Sequence, residues 1–259
     1  MTRRQAFYFG TNLKMYKNIA ATTAFLRELV DLTADLDFER LRLFVIPSYT
    51  ALPAAEHCLK GTPILLGAQN MAWAEEGQFT GEISPLMLQE VGVRIAELGH
   101  SERRHVLGET DEQLNLKVRC ALRNDLVPLL CVGETGRQKD AGISAEVISI
   151  QLKTDLSGVT PAEAEALLIA YEPVWAIGTA GVPASKTYAD AMHRVIRGVL
   201  VELFGESVGG DIPILYGGSV NNENAPELAA MPHVDGLFIG RSAWDAANFR
   251  RIIGSIDRA

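Results

Sequence analysis

The sequence predicts a (β/α)8 barrel that occupies the whole chain, residues 1–259, as one domain. Eight short apolar runs alternate with amphipathic or polar segments. Several of the runs are unbroken, as in parallel strands that are covered on both faces. Eight units of about 32 residues each also come close to the ~250 residues typical of this barrel.

A doubly wound open sheet is the alternative arrangement of the same alternating elements. No GxGxxG or GxxxxGKS/T fingerprint follows any of the apolar runs. No Pro/Ser-rich linker divides the chain. These observations favour the closed barrel over the open sheet.

The apolar runs predict the strands in order. They are FYFGT, LRLFVI, PILLGA, RIAELG, LVPLLCV, ALLIAY, IPILYG and VDGLFIG, at 7–11, 41–46, 63–68, 94–99, 126–132, 166–171, 212–217 and 234–240. Helices are predicted between them where apolar residues follow helical spacing. The clearest strips are Phe25, Leu29, Leu32, Leu36 after the first strand and Val195, Val199, Leu203 after the sixth.

Composition excludes several classes of function. The net charge of -8, with no run of Lys or Arg, is not typical of a protein that binds nucleic acid or an anionic membrane. No apolar stretch has membrane-spanning length, and the N-terminal MTRRQAFYFG predicts a first strand rather than a signal peptide. Three cysteines without metal-ligand spacing indicate core packing in a reducing compartment, so we expect a cytoplasmic protein.

In a (β/α)8 barrel, the chemistry lies at the carboxyl ends of the strands. Five predicted strand ends carry polar or glycine-rich sequence: TNLKMYKN after the first, GHSERR after the fourth, EPVWAIG after the sixth, YGGSV after the seventh and GRSAW after the eighth. We therefore expect the active site to be assembled from these five segments.

Glu172 follows the sixth strand and precedes an apolar segment with small residues at its end, AYEPVWAIGTAG at 170–181. Alone, it could be an ordinary strand-end carboxylate in water. Trp175 and Ile177 can instead close over the site as a lid, and Gly178 leaves backbone freedom near the end of that lid. Because a carboxylate in a water-poor site is a stronger base, Glu172 is predicted to be a general base.

His100 follows the fourth strand, where Ser101 is predicted to cap a short helix. Alone, a histidine here could equally be a surface or structural residue. A helix N-terminus disfavours the imidazolium ion and so keeps the ring neutral. A neutral imidazole can still donate a hydrogen bond to a substrate carbonyl.

Asn12 and Lys14 follow the first strand, two residues apart, so both side chains are expected to point the same way. A cation and an amide that face one pocket suit an anionic, oxygen-rich substrate. Glu102 is the expected ion-pair partner of Lys14. The alternatives are a solvated lysine and a surface helix acid.

The glycine-rich segments after the last two strands predict a phosphate site. Each alone could be an ordinary turn. In barrels of this class, however, these loops often hold phosphate through backbone N–H groups. The residues that match this use are Gly217, Gly218, Ser219 and Gly240.

Five motifs in order, NLKM, FTGEIS, GHSERR, YEPVWAIGT and YGGSV, make the chain resemble triosephosphate isomerase over almost its whole length. The resemblance implies a TIM barrel and cofactor-free, metal-free conversion between an aldose and a ketose phosphate through an enediolate. The first expectation is dihydroxyacetone phosphate and glyceraldehyde 3-phosphate, in glycolysis and gluconeogenesis. The alternatives are a four-carbon pair, erythrulose phosphate and erythrose phosphate, or a phosphate-binding barrel without turnover.

The resemblance also implies roles for individual residues. By this resemblance, Glu172 corresponds to the family's catalytic base and His100 to the electrophile that polarises the substrate carbonyl. Lys14 and Asn12 correspond to residues that contact the substrate. The implied phosphate-binding residues are Gly178, Gly218, Ser219, Gly240 and Arg241, and the implied supports behind the site are Ser101 and Glu102. Segment 69–84 resembles the loop through which the family forms homodimers, with Thr80 reaching the partner's site.

The chain departs from the family pattern around the predicted phosphate site and lid. Leu13 stands where the family usually has Trp, and the lid tail at 180–186 reads AGVPASK. Arg241 stands where the family's phosphate loop has its second glycine. Its guanidinium could curl over the phosphate or lie outside on the surface. We hypothesise that Arg241 and the altered lid tail reshape the mouth of the site for a longer sugar phosphate.

Overall fold

A computed structural model describes residues 6–178 and 181–256 as a closed barrel. Eight parallel strands pair in chain order, and β1 closes the barrel against β8. The strands are β1 Phe7–Asn12, β2 Leu41–Ile46, β3 Leu65–Ala68, β4 Ile95–Leu98, β5 Val127–Val132, β6 Leu168–Tyr171, β7 Ile214–Tyr216 and β8 Gly236–Ile239. The predicted fold class is confirmed, and every predicted strand is present, with six of the eight shorter than predicted at one or both ends.

Eleven helices are present in the described residues, and they connect the strands. They are α1 Ile19–Leu32, α2 Leu52–Leu59, α3 Pro85–Glu90, α4 Ser101–His105, α5 Asp111–Arg123, α6 Gly136–Asp140, α7 Ser144–Asp155, α8 Pro161–Ala164, α9 Lys186–Gly209, α10 Ala225–Ala229 and α11 Ala246–Gly254. Short 3-10 turns lie at Tyr49–Ala51, Val174–Ala176 and Arg241–Ala243.

Local sequence explains where the first helix begins and which of its faces is buried. The Asn18 side chain accepts a hydrogen bond from the Ala21 N–H and caps α1, satisfying one of its free donors. Phe25 and Leu29 are buried on the inner face, as their spacing predicts. Leu36, the last residue of the predicted strip, lies beyond the end of the helix.

The apolar residues form two separate cores. One fills the space between the strands and the outer helices. The other fills the lumen of the barrel and consists of Phe44, Ile46, Ile95, Leu129, Cys131, Leu168, Ala170, Leu215 and Phe238. Gly10 makes room for the Phe44 ring, because a Cβ at Gly10 would overlap it. The lumen is therefore a packed core rather than a channel.

Side chains on the lumen face of two strands also reach the carboxyl end of the barrel, where the site is expected. Because side chains two residues apart on a strand share a face, Glu97 lies on the same face of β4 as Ile95, and Glu172 follows Ala170 in the same way beyond β6. Polar side chains thus cover the apolar lumen core at the carboxyl ends of the strands. Among the described residues, no helix is both long enough and apolar enough to span a bilayer.

Candidate active site

A cavity of about 420 Å³ opens at the carboxyl end of the barrel. The structure brings eleven of the predicted site residues together in its lining. These are Asn12, Lys14, His100, Glu102, Glu172, Gly178, Gly217, Gly218, Ser219, Gly240 and Arg241. The five strand ends singled out by the sequence therefore do meet in one place.

Glu172 lies at the floor of this cavity and is only 3% exposed. Its Oε2 accepts a hydrogen bond from the Ser101 backbone N–H at 3.1 Å, and its Oε1 lies 3.5 Å from His100 Nε2. Gly217 provides space for this side chain, because a Cβ there would lie 2.9 Å from Glu172 Cγ. The carboxylate is therefore held beside an imidazole, with almost no exposure to solvent.

His100, rather than the predicted Ser101, is the N-cap of α4. Its Nδ1 accepts a hydrogen bond from the Glu102 N–H at 3.2 Å, and Ser101 is the first residue of the helix. The prediction of a serine cap was wrong because the histidine ring, one residue earlier, reaches the free helix N–H. Since Nδ1 is an acceptor, the ring proton is assigned to Nε2 of a neutral imidazole, facing Glu172.

Lys14 reaches the cavity by a route that strand alternation does not predict. Strand β1 ends at Asn12, and Lys14 has a left-handed backbone, with φ of 49°. The Asn12 Oδ1 accepts a hydrogen bond from the Lys14 N–H at 2.6 Å, which holds this unusual turn. The shared direction of the two side chains thus comes from a local hydrogen bond and not from the strand.

Glu102 is the partner of Lys14, as predicted, with 2.6 Å between Oε1 and Nζ. Partial burial raises the pKa of Glu102, but the hydrogen bond from Lys14, the neighbouring His100 and the charge of Lys14 together outweigh it, so that the pKa is lowered overall. The carboxyl group therefore stays ionised and holds the ammonium group beside the cavity.

Three contacts to Asn12 were not predicted from the sequence. Its Nδ2 donates to Glu97 Oε2 at 2.7 Å, its Oδ1 accepts from Gln69 Nε2 at 3.0 Å, and its backbone oxygen accepts from Trp244 Nε1 at 2.9 Å. A signal for Glu97 exists in the sequence, since it is a carboxylate inside the apolar run RIAELG. Gln69 and Trp244 carry no such local signal.

Glu134 anchors the base of the predicted lid and was also missed. It is fully buried and accepts hydrogen bonds from Tyr171 Oη, Trp175 Nε1 and Tyr188 Oη, the last two at 2.8 Å. Burial and the charge of Glu134 raise the pKa of Tyr171, so its phenol remains a donor. Like Glu172, Glu134 follows closely after an apolar strand, and this pattern could have identified it.

The lid and the loop after β7 are directly linked. Both the N–H and the Oγ of Ser219 donate to the backbone oxygen of Ala176, at 3.0 and 2.7 Å. The predicted lid residue Gly178 has a left-handed backbone, with φ of 84°. Of the lid tail, Ala180 lies outside the described residues, as does Thr179.

Arg241 begins the 3-10 turn Arg241–Ala243, and Gly240 precedes it. The arginine has no left-handed backbone, so its Cβ is accommodated without that strain. Its side chain is exposed and lies at the edge of the cavity.

Segment 69–84 divides into a buried start and an exposed tip. Met71 is fully buried in this chain's own core, and Trp73 packs edge-on against Phe79 with 5.6 Å between ring centres. Phe79 is 38% exposed, and Thr80 lies at the exposed tip, away from this chain's own cavity lining.

One group of potential metal ligands lies close together in the described residues: Glu97, Cys131 and Glu172, whose ligand atoms are within 4.8 Å of one another. Burial raises the pKa of the Cys131 thiol well above its usual range, and the charges of Glu172 and Glu97 add to this. A protonated thiol is a poor metal ligand, so the group does not favour a metal site.

Comparison with known proteins agrees with this geometry. The family model for triosephosphate isomerase matches residues 7–256. The chain is 44% identical to an L-erythrulose-1-phosphate isomerase of Rhizobium rhizogenes over 98% of this chain and 95% of the relative. It is 46% identical to one of Brucella abortus over 95% of each, and 44% identical to one of Mesorhizobium japonicum over 99% of each. The chain therefore belongs to the triosephosphate isomerase family and is a cofactor-independent isomerase of sugar phosphates.

Proposed function

We propose that this chain isomerises a four-carbon sugar phosphate, erythrulose 1-phosphate, through an enediolate. The observation that carries the proposal is the 44–46% identity to L-erythrulose-1-phosphate isomerases over nearly the whole chain. The departures around the predicted phosphate site, with Arg241 at the cavity edge, also suit a substrate other than the three-carbon one. The first expectation from the sequence, the three-carbon reaction, has support only from the family as a whole.

The four-carbon substrate fits the same catalytic geometry as a three-carbon one. In dihydroxyacetone phosphate, the carbonyl carbon lies between the phosphorylated carbon and a hydroxymethyl carbon. Erythrulose 1-phosphate keeps this order and adds one hydroxymethyl group to the carbon that loses its proton. A site that holds the phosphate and the carbonyl in the same places can therefore act on both, provided that the added group has space.

The chemistry of this substrate determines the product. The C2 carbonyl has two neighbours, C1, whose oxygen is esterified to phosphate, and C3, which carries a free hydroxyl. An enediolate that leads to a new carbonyl therefore spans C2 and C3. Protonation at C2 then leaves the carbonyl at C3, which is erythrulose 4-phosphate when numbered from the other end. Erythrose phosphate, the partner expected from the sequence, needs a further isomerisation at the unphosphorylated end.

Glu172 and His100 supply the two proton-handling groups in this proposal. Glu172 is only 3% exposed, lines the cavity and removes the proton from C3 as the general base. His100, with its proton on Nε2, donates a hydrogen bond to the C2 oxygen and stabilises the negative charge that develops there. Glu172 then returns the proton to C2, while His100 transfers protons between the two oxygens.

The remaining cavity residues bind the substrate in this proposal. Lys14 provides positive charge, and Asn12 provides an amide donor beside it. The phosphate is bound by backbone N–H groups at the other side of the cavity, from Gly178, Gly218, Ser219, Gly240 and Arg241. Because the Ser219 N–H is donated to Ala176 in this structure, phosphate binding requires that this hydrogen bond to the lid be exchanged. Ser101 supports Glu172 from behind.

The test is a direct comparison of substrates. Purified protein is incubated with erythrulose 1-phosphate, and separately with dihydroxyacetone phosphate, in ²H₂O, and the products are followed by NMR. We expect turnover of erythrulose 1-phosphate to erythrulose 4-phosphate, with deuterium at the carbon that was C2 of the substrate and is C3 of the product. We expect kcat/KM to be at least tenfold above that for the three-carbon substrate. Glu172→Gln is the control for contaminating isomerases.

Three other outcomes of this experiment would contradict the proposal. Preference for dihydroxyacetone phosphate would restore the three-carbon reaction. Direct formation of erythrose phosphate from the 1-phosphate would contradict the C2–C3 enediolate. Phosphate-ester binding without turnover of either substrate would make the chain a binding protein.

A further inference from the structure

Glu97 is a fully buried carboxyl group just behind the active site, and the mechanism above does not use it. It lies on the lumen face of β4, where the neighbouring lumen residues are apolar. It is absent from the cavity lining, so it does not reach the substrate directly. It does contact Asn12, which lines the cavity.

We propose that Glu97 is a positioning residue that acts as a neutral carboxylic acid and fixes the orientation of the Asn12 amide toward the substrate. This rests on the substrate-binding role proposed for Asn12, and it holds for a three- or a four-carbon substrate alike. The proposal has two parts, the orientation of Asn12 and the absence of charge on Glu97.

The orientation of Asn12 follows from its hydrogen bonds. Its Oδ1 already accepts from the Lys14 N–H and from Gln69 Nε2. Its Nδ2 donates one of its two protons to Glu97 Oε2 at 2.7 Å, which leaves the other for a substrate oxygen. With an apolar side chain at position 97, nothing on that side would accept the Nδ2 proton, and a buried donor would lose its partner.

The neutral form follows from the charges around Glu97. The nearest ionisable carboxyl group is Glu172, in the cluster whose ligand atoms lie within 4.8 Å of one another. Two carboxylates this close in a dry site do not both ionise at neutral pH. The hydrogen bond from Asn12 and the charge of Lys14, which is paired with Glu102, favour the ionised form of Glu97, but they do not outweigh burial and the charge of Glu172. Burial, and then the charge of Glu172, raises the pKa of Glu97 well above its usual range, which agrees with this argument.

Cys131 lies on the other side of Glu97. Its thiol donates toward Glu97 Oε1 with 4.0 Å between Sγ and the oxygen, at the limit of a hydrogen bond from sulfur. The Cys131 thiol is in turn in hydrogen-bond contact with Glu172. The group thus connects Asn12 to the base without adding negative charge next to it, so that Glu172 can carry the charge that proton abstraction needs.

The test compares two substitutions of nearly equal size. Gln reproduces the acceptor and donor of a neutral acid, so Glu97→Gln should keep kcat/KM within about threefold of the wild type and leave the acidic limb of the pH–rate profile in place. Glu97→Leu removes the acceptor, so kcat/KM should fall by about tenfold or more. The ratio of kcat/KM between variant and wild type is measured with whichever sugar phosphate the wild type turns over. The test therefore does not depend on whether that substrate has three or four carbons.

A double mutant distinguishes an effect through Asn12 from general damage to the core. If Glu97 acts through Asn12, adding Glu97→Leu to Asn12→Ala should cost less than about twofold more, because interacting residues are not additive. An infrared difference spectrum, wild type minus Glu97→Gln at pH 8, should contain the C=O band of a protonated carboxyl group. This band is observed even if the enzyme turns over neither sugar phosphate, so it tests the charge independently of the proposed function.

Four results would overturn the proposal. They are a Glu97→Gln variant whose acidic limb moves to lower pH, full activity of Glu97→Leu, additive losses in the double mutant, and a spectrum with a carboxylate band in place of the acid band. The first and last would mean that Glu97 is ionised, and the other two that it does not orient Asn12.

Discussion

At the scale of single residues, Glu172 is the group on which the proposed chemistry depends most. Glu172→Gln preserves its shape and removes its ability to accept a proton. Because general-base catalysis is worth about 10²–10⁴-fold, we expect kcat to fall by at least that range, with KM changed much less. Steady-state kinetics measures both constants, and near-normal turnover would reject the mechanism.

Arg241 is the residue whose effect should depend most on the substrate. Its exposed side chain borders the cavity, so Arg241→Gly opens the mouth and removes a cation. We expect the ratio of kcat/KM for the four-carbon to the three-carbon substrate to fall by about tenfold, a loss of about 1.4 kcal/mol of discrimination. Arg241→Met keeps the bulk without the charge and so separates the two contributions.

An unchanged ratio in both Arg241 variants would show that the side chain lies outside the specificity pocket. The guanidinium would then be a surface group, the second destination considered from the sequence. The substrate preference would have to come from residues deeper in the cavity.

At the scale of structural elements, the lid depends on one buried carboxylate. Glu134 accepts hydrogen bonds from two tyrosines and from Trp175, and Lys139 lies 3.6 Å from the centre of the Trp175 ring. These contacts fix the start of the lid, and the two hydrogen bonds from Ser219 to the Ala176 oxygen connect its next residues to the loop after β7. Closure of the lid over a substrate therefore takes place from an anchored start.

Glu134→Gln should weaken this anchor, since the amide nitrogen cannot accept a hydrogen bond. We expect the free energy of unfolding to fall by about 1–3 kcal/mol, measured by denaturant titration, and kcat/KM to fall because the lid closes less accurately. Trp175→Phe removes only one donor and serves as the graded comparison. A Glu134→Gln variant with wild-type stability and activity would show that the anchor has no role.

At the scale of the whole molecule, we predict a homodimer. The start of segment 69–84 is buried in this chain's own core, but Phe79 and Thr80 remain exposed at its tip, and Met15, beside the cavity residue Lys14, is 95% exposed. An exposed apolar surface of this kind suits a second copy of the chain, with Thr80 inserted beside the partner's Asn12 and Lys14.

Light scattering at micromolar concentration should therefore give twice the mass of the chain. Phe79→Asp should yield monomers with reduced activity, because the inserted tip would lose its contact. Ile150→Asp, at a 61% exposed apolar position on α7, is the matched control and should stay dimeric. A fully active wild-type monomer would contradict the prediction.

The sequence by itself determined the order of the elements and the segments that form the site. Both follow from local patterns, since apolar runs and helical strips need only neighbouring residues, and parallel strands place their carboxyl ends together. For this reason, the sequence was enough to predict His100, Glu172 and the glycine-rich loops as parts of the site. The contact between Lys14 and Glu102 was also predictable, because opposite charges at two strand ends that line one cavity are natural partners.

Only the tertiary structure decided which residues support the site. Asn12 meets Glu97 across 85 positions of the chain and Trp244 across 232, and no periodic pattern links residues so far apart. The cap at His100 and the left-handed turn at Lys14 each rest on a hydrogen bond between residues two positions apart, which no apolar periodicity signals. The physical reason is that a buried polar group must be satisfied, but the closure of the barrel determines which distant side chain comes within reach.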